Sequence, residues 1–172
     1  MGAAEPPRVS VPSHFEMFYA DNYPSVVGLM TALCGSGGVA EDLAQEAFLR
    51  AHRDWGRVAR LDKPAAWVRR VAINLSRSRF RRLRAEATAR LRLAGGITST
   101  AILSPQDEAF WDEVRGLPKR QAQAVALRYV DDLSVRDIAQ IMNVAEGTVR
   151  ALLHQGRERL ERQLEAKGWV ER

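Results

Sequence analysis

The sequence predicts an all-α protein of two small helical domains joined by a flexible linker. Three observations carry this. Apolar residues recur at three- and four-residue steps through most of the chain, the spacing of one face of a helix. No stretch of any length shows the strict alternation of a half-buried strand. Between residues 85 and 104 the periodicity fades into a glycine pair and a Ser/Thr cluster, AEATARLRLAGGITSTAILS, which is the composition of a linker. The boundaries that follow are a disordered Pro-rich tail at 1–13, a three-helix domain at 14–84, the linker at 85–104 and a second domain at 105–168.

The elements follow in order. From His14 the residues Phe15, Phe18, Tyr19, Val26, Val27, Met30 and Leu33 share a broad apolar face, interrupted at Pro24 and ended by Gly35 to Gly38. In VAEDLAQEAFLRAHRDW, the residues Val39, Leu43, Ala47, Phe48, Ala51 and Trp55 form an inner face. Glu41, Asp42, Gln45, Glu46 and Arg50 lie outside, with the acids placed early, where they suit the helix dipole. On residue type alone that dipole placement explains them. A short connection, GRVARLDK, leads to Pro64, a favoured first residue for the next helix. After the linker, Ser104-Pro105 reads as an N-cap and first-turn proline. The helix behind it shows Phe110, Val114 and Leu117 inward, until Gly116 and Pro118 break it. PKRQAQAVALRYV is a further helix and Asp131-Asp132 a turn.

The basic helix Pro64–Arg84 stands out. Trp67, Val68, Val71, Ala72, Leu75, Phe80 and Leu83 form its apolar stripe, and seven arginines with no acidic residue occupy the rest. Such charges repel one another, so they fit best opposite a polyanion. A merely solvated face is the alternative.

The other strong pattern is LSVRDIAQIMNVAEGTVRALLHQGRERL, residues 133–160. Ser134 to Asp137 fits a capping box, and Ile138, Ala139, Ile141 and Met142 form a short helix. Asn143 supplies the left-handed residue of a tight turn, and a longer helix runs from about Glu146 to Ala166. This is a helix-turn-helix. Arg136 on the first helix, and Glu146, Thr148, Arg150, His154, Gln155 and Arg157 on the second, are candidates to reach base edges or phosphates. Residues 106–166 carry more acidic than basic side chains, so the first domain must supply much of the phosphate attraction.

Composition bounds the function. The 172 residues are 46% hydrophobic and 27% charged, with a net charge of +5, which is compatible with a nucleic-acid partner. The single cysteine, Cys34, sits among apolar neighbours and excludes an internal disulfide or a multi-cysteine metal site. No apolar run reaches the length of a membrane span and the N-terminus has no signal-peptide core or myristoylation pattern, so a cytoplasmic protein without membrane insertion is expected. His14, His52 and His154 are scattered, and there is no HExxH, P-loop or Gly-rich dinucleotide fingerprint. An enzyme is not expected, nor any cofactor or metal.

These motifs together resemble those of an extracytoplasmic function (ECF) RNA polymerase sigma factor, and are particularly similar to short actinobacterial sigma-E-like members. AEDLAQEAFLRAHRDW resembles the segment that docks on the polymerase clamp helices. PAAWVRRVAINLSRSRFRR resembles the segment that melts and reads the −10 promoter element. LPKRQAQAVALRYVDDLSVRDIAQIMNVAEGTVRALLHQGRERL resembles the −35-binding domain. The resemblance implies binding to core RNA polymerase (its β′ and β subunits) and to promoter DNA, and many relatives are held by an anti-sigma factor. By position it assigns Asp42, Gln45, Glu46 and Leu49 to the polymerase, and Asn74 to an unstacked base of the non-template strand. Arg69, Arg70 and Arg77 would hold phosphates, with Arg79, Arg81 and Arg82 extending the track, while Trp67 belongs to packing.

The chain also departs from that pattern. Ser78 stands where an aspartate is frequent, Ala145 where a serine caps the recognition helix, and Ala151, Leu152 and Gln155 where polar or basic residues are usual. An ordinary helix-turn-helix regulator acting without polymerase is the alternative. It accounts for residues 133–160 but leaves the basic and acidic helices unexplained.

Overall fold

The computed structural model describes residues 14–90 and 105–168, with side chains described outside 83–90 and 105–106. Eight helices and no strand are found among the described residues: α1 His14–Cys34, α2 Gly37–Arg53, α3 Trp55–Val58, α4 Pro64–Arg90, α5 Pro105–Gly116, α6 Lys119–Tyr129, α7 Val135–Met142 and α8 Glu146–Ala166. They form two helical clusters, α1–α4 and α5–α8, as the sequence predicts. The expected tail, 1–13, and residues 91–104 of the expected linker lie outside the described residues.

Three details differ from expectation. First, α1 runs unbroken through Pro24. Second, the connection after α2 contains the one-turn helix α3, which buries Val58. Third, α4 continues to Arg90, so the first six residues assigned to the linker are helical. Without Gly or Pro in Ala85–Arg90, the chain has no local reason to stop at Arg84.

The first cluster closes around aromatic rings. Phe15, Phe18, Tyr19 and Tyr23 of α1 meet Phe48 of α2 and Trp55 of α3. Centroids lie 5.0 Å apart for both Tyr19–Phe48 and Phe18–Trp55, within the range where offset and edge contacts add to burial. Val68, Ala72 and Ile73 of α4 complete this core. Gly35, at φ +70, closes α1 in a left-handed conformation that suits glycine.

In the second cluster α6 is central. Every residue from Gln121 to Leu127 is buried, because α5, α7, α8 and α1 all pack on it. α8 approaches it closely at Gly156, where an added Cβ would lie 3.0 Å from Val125 Cγ2. The two clusters share one continuous core. Gly28 of α1 lies against Val130, and the Arg115 guanidinium of α5 donates to the Ala32 carbonyl near the end of α1 over 3.1 Å.

Gly156→Val forces that approach apart. It should lower stability by about 1–3 kcal/mol, the usual cost of overpacking. An unchanged urea midpoint would show that α6 and α8 can separate without penalty.

Candidate functional site

Position on α4 sorts its arginines. Arg70, Asn74, Arg77 and Arg81 follow one another at steps of four, three and four, so they share one face. Asn74, Arg77 and Arg81 are exposed on it. Val68, Ala72 and Ile73 anchor the opposite side, so the Asn74 amide is presented by a fixed helix. Ser78, beside this face, accepts from Arg81 over 3.3 Å. Arg82 is exposed on its flank. Arg79 points elsewhere, 4.0 Å from Asp42 of α2. Trp67 is half-buried, as a packing residue should be, with the Arg57 guanidinium 5.9 Å above its ring.

Arg69 departs most from expectation. It is buried rather than presented to solvent, and its Nε donates to Asp131 of the second cluster over 2.8 Å. Its terminal nitrogen donates to Ser25 Oγ over 2.7 Å, and Ser25 in turn donates to the other oxygen of Asp131. Side-chain exposure is 10% for Arg69 and 2% for Asp131, so the pair is shielded from water. Leaving either charge alone there costs about 3–5 kcal/mol. Arg70 is also engaged: it donates to the carbonyls of Gln140 and Ile141 in the last turn of α7. A cation at that end of a helix complements its dipole. Lys63, just before α4, pairs with Asp137 in the first turn of α7. Hydrogen bonds from Lys63 and then Ser134 hold the Asp137 carboxyl below its ordinary range.

Sequence reasoning missed Ser25, Lys63, Asp131 and Asp137 as partners of the basic helix. Asp131 read as a turn residue and Asp137 as a cap, and both roles are real. Their second role joins residues tens of positions apart, for which a single sequence carries no local signal.

On α2, Asp42, Gln45, Glu46 and Leu49 share one face at helical spacing. Leu49 is 51% exposed, although large and apolar. With Gln45 it rims a shallow groove of about 210 Å³ floored by Phe15, Tyr19 and Phe48. Glu46 pairs with Arg50 at 2.8 Å. The groove thus has an apolar floor, with the Gln45 amide and His52 at its edge and Asp42 and Glu46 on the same helix face.

The helix-turn-helix is formed as expected. Ser134 Oγ accepts from the Asp137 amide at 3.2 Å, Asn143 takes φ 55 and ψ 56, and the Val144 amide reaches the Ala139 carbonyl at 3.1 Å. Val149, Leu153, Gly156 and Leu160 bury one side of α8. Ala145 sits at the N-cap with extended backbone and no side-chain cap bond, so one source of stability is missing there.

The candidate residues of α8 divide between two flanks. Glu146, Arg150, His154 and Arg157 follow at steps of four, four and three, while Thr148 and Gln155 lie on the other side. Arg150 pairs with Glu146 at 2.9 Å and His154 lies 3.6 Å from Glu158. Arg157 Nε reaches the Leu153 carbonyl at 3.4 Å, and Gln155 accepts from Gln121 Nε2 at 3.1 Å. Arg136 is exposed on α7, across a cleft of about 500 Å³ from Arg70.

The comparisons with known proteins decide the family. Residues 18–86 match the model of Sigma-70 region 2, and residues 107–160 match that of Sigma-70, region 4. The chain is 30% identical over 148 residues to the ECF RNA polymerase sigma factor SigW of Bacillus subtilis, covering 77% of this chain and 79% of that protein. The chain belongs to the ECF RNA polymerase sigma factors.

It is also 27% identical over 166 residues to the RNA polymerase sigma-H factor of Pseudomonas aeruginosa, covering 88% and 86% of the two chains. Relatives from Bacillus and Pseudomonas make the likeness one to the family as a whole. Among solved structures, the sigma factor RpoE in complex with the anti-sigma factor NepR from Bartonella quintana shares the fold. Its TM-score is 0.75 at 22% identity, covering 92% of this chain and 98% of that one. A sigma factor is not an enzyme. Among the described residues no group of His, Cys, Asp and Glu is placed to hold a metal ion, and no helix is long and apolar enough to cross a membrane.

Cys34 of this sigma factor lines a cavity of about 250 Å³ between the clusters, with Phe80, Leu117, Arg77, Arg115 and Lys119. Burial pushes its thiol up to about 11, against the opposing pull of Arg79 and Arg115. The folded state therefore resists forming the thiolate, a preference lost as pH rises towards 11. Alkylation by iodoacetamide at pH 8 should be about a hundredfold slower in the native protein than in urea, since thiolate is the reactive form. Equal rates would place Cys34 in contact with water.

Proposed function

We propose that this chain binds core RNA polymerase, through its β′ and β subunits, and directs it to promoters carrying −10 and −35 elements. The observation that carries this reading is the α4 face. Asn74 stands exposed between Arg70, Arg77 and Arg81 on a helix whose other side is anchored in the core. An amide both donates to and accepts from a base edge, and flanking guanidinium groups hold phosphates on either side. That arrangement suits capture of an unstacked base as the duplex opens. Opening costs roughly one to two kcal/mol per stacked step, which phosphate contacts and captured bases must offset.

The α2 groove is the proposed polymerase contact, with Leu49 as its apolar anchor, Gln45 at its rim and Asp42 and Glu46 beside it on the same helix face. Arg136, Arg150, His154 and Arg157 would read or hold the −35 duplex together with Glu146 and Thr148. Gln155, bonded to Gln121, contributes less to base readout than its position suggests. The mixed-charge pairs along α8 support a −35 interaction that is weak without the first cluster. An anti-sigma factor is a proposed partner, by analogy with NepR in its complex with RpoE. The cytoplasm is the proposed location, and the motif likeness to short actinobacterial sigma-E-like members is part of this reading.

Serving both elements at once requires the clusters to separate. Elements 25 positions apart lie about 85 Å apart along B-form DNA, at roughly 3.4 Å per pair. A compact chain of this length has a radius of gyration of about 16 Å.

Transcription in vitro with purified core enzyme and a pool of genomic promoters tests the function: specific transcripts are expected on addition of the protein, and none on any promoter removes the reading. Asn74→Ala should reduce open-complex formation at least tenfold, about 1.4 kcal/mol, with core affinity unchanged. Parallel loss of both would make Asn74 structural. Asp42→Ala with Glu46→Ala should weaken core binding roughly tenfold while DNA contacts persist. Unaltered polymerase affinity removes the α2 assignment.

A further inference from the structure

We infer that Gln121 sets a base preference of this sigma factor from inside the protein: by holding the side-chain oxygen of Gln155, it leaves only the Gln155 amino group to face the −35 duplex, so that Gln155 reads a base acceptor and not the paired pattern of adenine. The inference rests on the proposed reading of the −35 duplex by α8.

Gln121 lies near the start of α6 and is only 4% exposed. Its Nε2 donates to Gln155 Oε1 over 3.1 Å. Gln155 itself is exposed on α8, on the same flank as Thr148. The next residue, Gly156, lies over Gln121, where an added Cβ would stand 3.7 Å from Gln121 Cβ and 3.9 Å from its backbone oxygen. The two helices therefore touch where the bond forms, and their spacing is fixed there. Among the described residues Gln121 Oε1 is buried without a hydrogen-bond partner. If Gln155 swung outwards, Gln121 would lose the bond of its Nε2 as well, and both ends of a buried amide would be left unsatisfied. That cost keeps Gln155 in place when DNA arrives.

A glutamine free to turn on a recognition helix reads adenine with two bonds, donating to N7 and accepting from the N6 amino group. Both ends of the amide must then face the base. The Gln155 oxygen faces α6 instead, so its amide can turn only a donor outwards. A donor meets N7 and O6 of guanine or O4 of thymine, whereas the cytosine edge offers only the N4 donor. Adenine gains one bond where a free glutamine would give it two. Gln121 is buried and acts through Gln155, so it is a positioning residue.

The test assembles the full chain with purified core polymerase and selects from a promoter library randomised in the −35 element. Sequencing of the retained DNA reads the preference at each position. Gln155→Ala locates the base in question: about a tenfold preference for guanine or thymine over cytosine should vanish at one position. Gln121→Met keeps the volume and removes the amide. It should raise adenine over guanine about tenfold at that position and leave the others unchanged, whereas loss of a purely structural contact would weaken all sequences alike. Circular dichroism confirms folding of each variant.

If Gln121→Met does not fold, the wild type compared with Gln155→Ala still decides, because a preference for adenine or cytosine at that position overturns the inference. An unchanged selection by folded Gln121→Met also overturns it. If Gln155→Ala alters no position while others are still selected, the inference fails and the −35 reading stands. Absence of selection at every position removes the −35 reading and the inference with it.

Discussion

The second half of α1 is apolar on nearly all sides, and the architecture depends on covering it. Val26, Leu29, Met30 and Ala32 are buried, and Val27, Leu33 and Cys34 pack against the same core. A helix that is hydrophobic all round cannot rest against one partner and leave its other side in water. In this chain α2 and α4 cover one side, and α5 and α6 the other. The demand for that second cover brings the helix-turn-helix cluster against the first, and everything at their boundary follows from it. Arg115 finds the end of α1, Val130 finds Gly28, and α4 comes within reach of α7.

Once the clusters meet, charge decides the details. Seven arginines between residues 64 and 84 of α4, with no acid among them, must find counter-charges or water. Arg69 is on the side turned to the second cluster, where a bare guanidinium would be costly, and Asp131 neutralises it. Arg79 finds Asp42, and Arg70 finds helix-end carbonyls. What remains exposed runs from Asn74 to Arg82. A buried ion pair adds little net stability compared with an apolar pair, but it is expensive to break on one side only.

The helix-turn-helix was legible because its determinants are local. A serine three residues before an aspartate, an asparagine at a left-handed turn and a small alanine at the helix crossing each act within a few positions. The α2 surface was legible only as an acidic face, and its functional meaning came from the family pattern. The shallow groove under Leu49 needed α1, whose Phe15 and Tyr19 supply the floor. The burial of Arg69 against Asp131 has the same origin. Helical spacing says which residues share a face, but not which neighbour arrives to cover it.

The sequence by itself determined the all-α class, the two clusters, the helix-turn-helix and the presence of an arginine helix with one central amide, because periodicity and capping are properties of adjacent residues. Only the tertiary structure decided that the clusters share a core, that α4 runs on to Arg90, and which arginines face solvent. Those outcomes depend on pairings such as Arg69 with Asp131 and Ser25. Such pairings form when apolar burial on both sides of α1 draws distant segments together, and no local spacing encodes them.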